Sequence, residues 1–356
     1  MAPIHRLNCH LDEILRERSL DWRFCYTHVA SQPPGGRTVV CEASDANVLE
    51  ALRQRMAPVS GKGEPNIRYE VLPRSGDNLP DGFVAVSSAV DVRRTPAHAA
   101  ELVTQMVYGD AAQPLKCEGE WYLVRLDDGY IGWVRSWHLA PCAPAAQAAF
   151  QEAAGYRVAS NLAVVLDRPD WDGLPVSDLV VGTRLIVREC ARRGWRSVRL
   201  SDGKEGFIAS RSVEKTPALK RLSRERLCVT GLRFLGIPYL WGGTTPKGFD
   251  CSGLIQRIYR LNGAVIPRDA DMQSRFGREK PAGTLNGLDA GDLIFFGKPN
   301  QRVTHVAMIL PEGLFLHAYG QVRVGSLEPQ NPLYDAKLLA DWCASRDIVS
   351  YLNQSR

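Results

Sequence analysis

The sequence predicts a multidomain protein with a small α/β module, two small β-barrels and an α+β domain. Three observations predict this architecture. The first 75 residues mix helical and strand patterns, the middle carries an internal repeat of short strands, and the last third joins helical segments to a run of strands. The chain has 356 residues, which is enough for two to four domains of ordinary size.

The N-terminal module, residues 1–75, is predicted from hydrophobic periodicity and turn residues. Its elements follow the order helix, strand, strand, helix, strand, over residues 11–17, 22–29, 38–42, 46–56 and 67–72. Asp45 stands where a helix N-cap is expected. The module shows no pattern of catalytic residues, so we interpret it as a packing or spacer domain.

The middle of the chain contains an ungapped repeat. Residues 121–136 (WYLVRLDDGYIGWVRS) recur as residues 195–210 (WRSVRLSDGKEGFIAS). Each copy predicts a strand, an Asp-Gly hairpin turn and a second strand. Further strands are predicted upstream of each copy, including one over 85–93. These patterns predict two barrels, over residues 78–141 and 155–215.

The repeated pattern resembles the bacterial SH3-like domains that accompany cell-wall hydrolases. Tyr130 in the first copy is matched by Lys204 in the second. We expect both side chains at an exposed hairpin turn. A shared scaffold with a changed turn residue is typical of a pair in which one copy carries a binding site.

The C-terminal domain, residues 217–356, is predicted as α+β. Helical spacing covers residues 219–236 and 250–262. Strand patterns of an antiparallel sheet cover residues 293–296, 303–310, 314–319 and 322–324. A glycine-rich loop leads into the second helix.

Cys251 is the candidate nucleophile of this domain. It lies where the glycine-rich loop meets a helix, and a helix N-terminus favours a thiolate. The backbone N–H groups there can also stabilise an oxyanion. His305 and His317 lie on two predicted neighbouring strands, which would place their imidazoles side by side. One would act as the general base and the other would orient it.

These residues resemble the NlpC/P60 family of cell-wall cysteine peptidases. The motif order comprises Tyr239-x-Trp241-Gly242-Gly243, Asp250-Cys251-Ser252-Gly253-Leu254, Pro267-Arg268, Gln273, Gly291-Asp292-Leu293, His305-Val306-Ala307 and His317-Ala318. The resemblance implies a papain-like α+β fold without a metal or cofactor. It implies Cys251 as nucleophile, His305 as base and His317 as the orienting residue. Tyr239 matches the aromatic position beside the nucleophile.

Domains of this family preceded by two SH3-like domains resemble γ-D-glutamyl-L-diamino acid endopeptidases. The resemblance implies a peptidoglycan-derived peptide, L-Ala-γ-D-Glu-diamino acid, with a free N-terminal L-Ala, and a first SH3-like domain that closes the site. We expect Tyr130, Asp250 and Ser252 to line the pocket for the L-Ala end, and Glu101 to pair with its ammonium group.

The composition narrows the partners. The formal net charge is +5, without a dense basic run, so no nucleic-acid partner is expected. No stretch approaches 18 continuous apolar residues, and the first residues lack an apolar signal core, so we expect a cytoplasmic protein without a membrane partner. A periplasmic or secreted location is the alternative if a signal peptide has been removed ahead of this sequence. The nine cysteines include no CxxC pair, which argues against a zinc ribbon. The oligomeric state stays open.

Three alternatives remain at this point. The first is an endopeptidase that cuts intact peptidoglycan and uses its SH3-like domains for wall targeting. The second is a binding protein with an inactive peptidase domain, which intact Cys251, His305 and His317 argue against. The third is an acyltransferase or amidase that acts on lipids, whose rearranged and membrane-associated features this sequence lacks.

Overall fold

The computed structural model describes residues 2–34, 36, 38–57, 65–189, 192–218, 221–298 and 301–354. Contacts divide the chain into two compact units. The first unit comprises Met1–Val84, Arg94–Ala100 and Asp110–Pro144. The second comprises Ala85–Arg93, Glu101–Gly109 and Ala145–Arg356. Two segments of the first predicted barrel therefore group with the C-terminal part of the chain, and the predicted four-domain boundaries stay a prediction.

The N-terminal module folds in the predicted order of elements. These are α1 (Ala2–Glu17), β1 (Thr27–Gln32), β2 (Thr38–Ala43), α2 (Ala46–Met56) and β3 (Asn66–Val71). Strand β2 is central, antiparallel to β1 and parallel to β3. Asp45 caps α2 through the backbone N–H of Asn47, at 2.8 Å. Buried apolar side chains from both helices and the sheet form one core.

The first barrel contributes strands to both compact units. Its strands are β4 (Phe83–Ala85), β5 (Val90–Arg93), β6 (Leu102–Met106), β7 (Ala111–Glu118), β8 (Trp121–Leu126), β9 (Ile131–Arg135) and β10 (Leu139–Pro141). In the first unit, β7, β8 and β9 form an antiparallel meander. In the second unit, β5 and β6 form an antiparallel pair.

The second barrel lies entirely in the second unit. Helix α3 (Pro144–Ala153) precedes β11 (Tyr156–Val158), β12 (Leu162–Leu166), β13 (Pro175–Val180), β14 (Arg184–Glu189), β15 (Trp195–Arg199), β16 (Glu205–Ala209) and β17 (Val213–Lys215). The strand order is β13-β12-β16-β15-β14-β11-β17. Both copies of the repeat form the predicted strand, turn and strand, with matching turn hydrogen bonds onto the carbonyls of Tyr130 and Lys204.

The C-terminal domain joins helices to an antiparallel sheet. Its helices are α4 (Arg224–Leu232), α5 (Cys251–Leu261), α6 (Ala270–Gln273), α7 (Ala336–Asp341) and α8 (Ile348–Gln354). Its strands are β18 (Thr244–Thr245), β19 (Gly248–Phe249), β20 (Arg278–Lys280), β21 (Leu293–Phe296), β22 (His305–Ile309), β23 (Leu314–Tyr319), β24 (Gln321–Ser326) and β25 (Trp342–Asp347). Strands β20 to β25 form a six-stranded sheet, in the order β20-β25-β21-β22-β23-β24.

The central strands of this sheet are buried on both faces. Side chains alternate along a strand, so Val306 and Met308 face α5, whereas Ala307 and Ile309 belong to a second apolar cluster with Trp342. Helix α5 packs against β22 and β23, which carry the two histidines. The helix that starts at the candidate nucleophile is therefore fixed against the strands that carry the candidate bases.

Several predicted elements differ from the structure. The helix predicted over 11–17 begins earlier, since α1 spans Ala2–Glu17. The strand predicted over 22–29 begins at Thr27, because residues 22–25 form a turn closed by the bond from the Phe24 N–H to the Asp21 carbonyl. The strand predicted over 85–93 is divided between β4 and β5. The helix predicted over 219–236 spans Arg224–Leu232 with Ser223 as its N-cap, and Leu219 lies outside the described residues.

Among the described helices, none combines the length and apolar character needed to span a bilayer.

Candidate active site

The turn that presents Cys251 is built by Asp250. Asp250 is the N-cap of α5, and its Oδ1 accepts the backbone N–H of Gly253 at 2.6 Å. Cys251 is the first residue of the helix and is 7% exposed. A Cβ atom on Gly253 would overlap the carbonyl of Gly243, so this helix start needs glycine there.

Arg268 forms a buried bidentate ion pair with Asp250. Its Nη1 and Nη2 lie 3.0 and 2.5 Å from Oδ1 and Oδ2 of Asp250, and its side chain is 1% exposed. Nη1 also donates to Ser252 Oγ at 2.9 Å, and Nε donates to Thr104 Oγ1 at 2.9 Å. The guanidinium therefore connects the nucleophile turn to strand β6. Arg268 belongs to the Pro267-Arg268 motif of the sequence, but the motif alone indicates no role for it.

Asp250 and Ser252 have their side chains committed to the protein itself. Besides Arg268 and Gly253, Asp250 accepts the backbone N–H of Gly242 at 3.0 Å and the hydroxyl of Ser252 at 3.2 Å. Both residues are buried. The structure therefore gives them a direct part in holding the nucleophile turn, and their predicted contact with the L-Ala end stays a prediction.

The Cys251 thiol is held in its neutral form. Burial, followed by the nearby Asp250 carboxylate, raises its pKa to about 12. Hydrogen bonds from the backbone N–H groups of Val306 and Ser252, and the charge of Arg268, offset part of this rise. The expectation that the helix N-terminus lowers the thiol pKa is therefore wrong, because desolvation outweighs the helix donors.

The two candidate histidines lie side by side on β22 and β23. Nε2 of His305 is 2.9 Å from Nδ1 of His317, and the rings are nearly perpendicular. Burial, followed by the charge of Arg323, lowers the pKa of His305 to about 4. Burial, followed by His305 and Arg323, lowers the pKa of His317 to about 3. Both imidazoles are therefore neutral near pH 7, as a general base and its orienting partner need to be.

Arg323 is a neighbour of this pair that was not predicted from the sequence. Its Nε donates to Nε2 of His317 at 3.2 Å, and its guanidinium lies 5.3 Å from the ring centre of Tyr319. His317 and Arg323 are directly paired across β23 and β24. The short turn at Gly320 sets this register, so the pairing could have been predicted from a hairpin centred there.

Strand β6 lies along the loop that leads to Cys251. Thr244 donates its backbone N–H to Gln105 Oε1 at 3.1 Å and its hydroxyl to the Gln105 carbonyl at 3.2 Å. The indole N–H of Trp241 donates to Glu101 Oε1 at 3.1 Å. Gly242 has a φ of 75° and packs against the backbone of Leu102, a place with no room for a side chain.

The predicted aromatic residue Tyr239 also lies at this loop. Burial, followed by the charges of Cys251 and Asp250, raises the pKa of Tyr239, so its hydroxyl stays protonated. Tyr239 is thus close enough to the thiol for their ionisations to interact. Glu101, which directly precedes strand β6, lies beside Trp241 of this loop. Its predicted role as an ammonium partner stays a prediction.

Tyr130 is not the exposed turn residue that the sequence predicted. It is 2% exposed and makes edge-to-face contacts with Trp22 and Phe24 within the first compact unit. The turn at residues 22–25 brings both rings over it, and the Ile131 N–H bonds to the Arg23 carbonyl at 2.7 Å. The expectation of exposure is wrong because a segment distant in sequence covers the hairpin.

Two family models match the chain. Residues 236–342 match the NlpC/P60 family, and residues 92–139 match the bacterial dipeptidyl-peptidase Sh3 domain. The chain is 31% identical over 229 residues to the gamma-D-glutamyl-L-lysine dipeptidyl-peptidase of Bacillus subtilis (strain 168), covering 60% of this chain and 71% of that relative. The chain belongs to the NlpC/P60 family. The family's cysteine peptidase chemistry agrees with the thiol and paired imidazoles described above.

Other relatives extend this NlpC/P60 assignment along the chain. The dipeptidyl-peptidase 6 of Lysinibacillus sphaericus is 29% identical over 262 residues, covering 70% of this chain and 93% of the relative. An NlpC/P60 family protein from Bacillus cereus ATCC 10987 shares the fold with a TM-score of 0.63 at 23% identity, covering 75% of this chain and 99% of that structure. This NlpC/P60 protein is thus a multidomain hydrolase with SH3-like and peptidase domains.

No group of three His, Cys, Asp or Glu side chains able to hold a metal ion occurs among the described residues.

The raised thiol pKa predicts how Cys251 reacts with iodoacetamide. Because the thiolate is the reactive form, the alkylation rate of Cys251 in the substrate-free protein should rise about tenfold per pH unit between pH 6 and 9, without a plateau. Peptide mass spectrometry at each pH measures this rate, with Cys251→Ala identifying the adduct. A plateau near neutral pH would reveal a preformed thiolate and contradict the neutral thiol.

The buried ion pair predicts a large effect of Arg268→Met. Removing the guanidinium leaves the Asp250 carboxylate buried without its partner, which should lower the free energy of unfolding by about 3–5 kcal/mol. Chemical denaturation of the wild type and variant measures the change. In an Asp250→Asn background, which keeps an N-cap without the charge, Arg268→Met should cost less. If Arg268→Met lowered the free energy of unfolding equally in both backgrounds, the ion pair could not be the cause of the loss.

Proposed function

We propose that this peptidase hydrolyses the bond between γ-D-Glu and the L-diamino acid in peptidoglycan-derived peptides with a free N-terminal L-Ala. The product would be the dipeptide L-Ala-γ-D-Glu. Relatives named for gamma-D-glutamyl-L-lysine dipeptidyl-peptidase activity support the bond. Release of a dipeptide also requires a group in the site that recognises the amino end of the substrate.

One observation carries the proposal. The carboxylate of Glu101, just before strand β6, contacts Trp241, which lies on the loop that leads to Cys251. Its carboxylate accepts the Trp241 indole N–H at 3.1 Å, which fixes one oxygen and leaves further acceptor capacity on the carboxylate. A carboxylate beside an aromatic ring is a suitable partner for an ammonium group. A site that depends on that pair discriminates against acetylated peptides, because the carboxylate loses its partner.

The reaction starts from a neutral Cys251 thiol and a neutral His305 imidazole. The Cys251 sulfur attacks the carbonyl carbon of the γ-peptide bond as the thiol proton passes to His305. The oxyanion forms next to the backbone N–H groups at the first turn of α5. The intermediate then expels the amine of the diamino acid, which takes the proton from His305. Water hydrolyses the resulting thioester and releases the dipeptide.

Cell-wall recycling is the process that we propose for this activity, since short peptides with a free amino end arise from wall turnover. The cytoplasmic location stays a prediction. The alternative is action on intact peptidoglycan. Comparing substrates separates the two, because peptides attached to glycan lack a free L-Ala amine.

The proposal predicts the products from L-Ala-γ-D-Glu-meso-diaminopimelate and its L-Lys counterpart. The wild type should release L-Ala-γ-D-Glu and the free diamino acid from at least one of them, and Cys251→Ala should release neither. Mass spectrometry of the reaction measures the products. Cleavage of purified sacculi with no cleavage of these peptides would favour the wall-cutting alternative, and cleavage by Cys251→Ala would exclude Cys251 as nucleophile.

Glu101→Gln tests the ammonium partner. The neutral amide keeps an acceptor for the Trp241 indole but loses the charge, so kcat/KM for the free L-Ala peptide should fall about 10- to 100-fold, as for loss of a charged hydrogen bond. The peptide acetylated on its L-Ala amine, which lacks only the N-terminal ammonium group, serves as the matched substrate. Unchanged discrimination between the two peptides would remove Glu101 from the proposed site.

A further inference from the structure

The catalytic histidines belong to a hydrogen-bond chain that starts at Arg323. Arg323 Nε lies 3.2 Å from Nε2 of His317, and Nδ1 of His317 lies 2.9 Å from Nε2 of His305. His317 is buried on β23, and Arg323 lies directly opposite it on β24. Three side chains and two hydrogen bonds thus link an exposed cation to the general base.

The direction of this chain follows from the chemistry of arginine. A guanidinium is permanently protonated and has N–H donors but no acceptor. Nε2 of His317 must therefore offer a lone pair to Arg323, so the proton of the neutral ring is on Nδ1. That Nδ1–H donates to Nε2 of His305. Nε2 of His305 is then an acceptor, and the proton of the neutral His305 ring is on Nδ1.

We propose that Arg323 is a positioning residue that holds His317 as the Nδ1–H tautomer and thereby sets the direction of the hydrogen-bond chain that ends on His305. The proposal rests on the cysteine peptidase chemistry of the family and not on the peptide proposed as substrate. It assigns a function to a residue outside the recognised triad of thiol and two imidazoles.

The direction matters because His305 has one nitrogen left for Cys251. Nε2 of His305 is engaged by His317, so the thiol proton has to arrive at Nδ1. When the hydrogen bonds run in the direction set by Arg323, Nδ1 of His305 already carries a proton. The order of protons set by Arg323 is therefore a resting order, in which His305 cannot act as a base.

The base-competent order reverses both hydrogen bonds. His305 then carries its proton on Nε2 and donates to Nδ1 of His317, whose own proton moves to Nε2. The change exchanges two protons with solvent and leaves the total number of bound protons unchanged. The proton on His317 Nε2 would point at the Arg323 N–H, so Arg323 has to leave its 3.2 Å contact.

The surroundings of the pair support this function. The charge of Arg323 lowers the pKa of both histidines, in addition to burial, whereas Asp250 and Asp335 raise that of His305. Tyr319 stacks on His317, with ring centres 6.2 Å apart, and also lies under the Arg323 guanidinium. Arg323 is exposed, so its side chain can leave His317 without opening the core.

Replacing Arg323 by Gln tests the proposal, because an amide can donate or accept and tolerates both orders. Nitrogen-15 NMR of the histidine rings should show the Nδ1–H tautomer of His317 in the wild type and a mixture in Arg323→Gln. With a peptide that the wild type cleaves, kcat at the pH optimum should rise about fivefold, equivalent to about 1 kcal/mol. The acid limb of kcat/KM should move about one pH unit higher, since the pair then protonates more easily.

Two matched variants separate positioning from other functions. Arg323→Lys keeps a charged donor and should retain the wild-type tautomer and pH profile. In a His317→Asn background, which has no ring tautomer, Arg323→Gln should no longer raise kcat. A wild-type tautomer and pH profile in Arg323→Gln would overturn the proposal. So would a raised KM with an unchanged tautomer, which would mark Arg323 as a substrate contact. The NMR result stands even if the proposed peptide is not cleaved.

Discussion

The buried pair of Asp250 and Arg268 is the interaction on which the catalytic region depends. Asp250 caps the helix that begins at Cys251 and accepts the N–H of Gly242 in the preceding loop. Arg268 neutralises that carboxylate and reaches Thr104 on strand β6. A buried carboxylate is costly unless its charge and its acceptors are satisfied. Here the partners come from the helix itself, from the preceding loop and from the segment that carries Arg268. Helix, loop and barrel strand are therefore held in register around one charge.

Burial also determines the ionisation of the catalytic groups. The same desolvation raises the pKa of the Cys251 thiol and lowers that of His305, so both groups are neutral near pH 7. A neutral thiol is a poor nucleophile toward small oxidants and electrophiles. The thiolate then has to form when a substrate carbonyl and the backbone donors of α5 can take up the negative charge. Reactivity is thereby tied to an occupied site.

Local patterns were sufficient to predict the helix start at Cys251 and the facing histidines, because capping and strand alternation involve near neighbours. The same is true of the paired hairpins of the repeat. Tyr130 was placed wrongly because Trp22 and Phe24, about a hundred residues earlier, cover it. The role of Arg268 was missed because a buried ion pair has no periodic signature. The thiol pKa was misjudged because a helix terminus can be read from sequence, whereas the degree of desolvation cannot.

Strand β6 belongs to the first barrel in sequence but to the catalytic unit in contacts. Its Gln105 and Thr104 bond to the loop and the guanidinium that support the nucleophile. The border of the catalytic machinery therefore does not coincide with the border between domains. Strand β6 therefore acts as part of the support of the nucleophile loop as well as part of the barrel sequence. A foreign barrel placed before this peptidase domain would have to supply matching partners for Thr244 and Arg268.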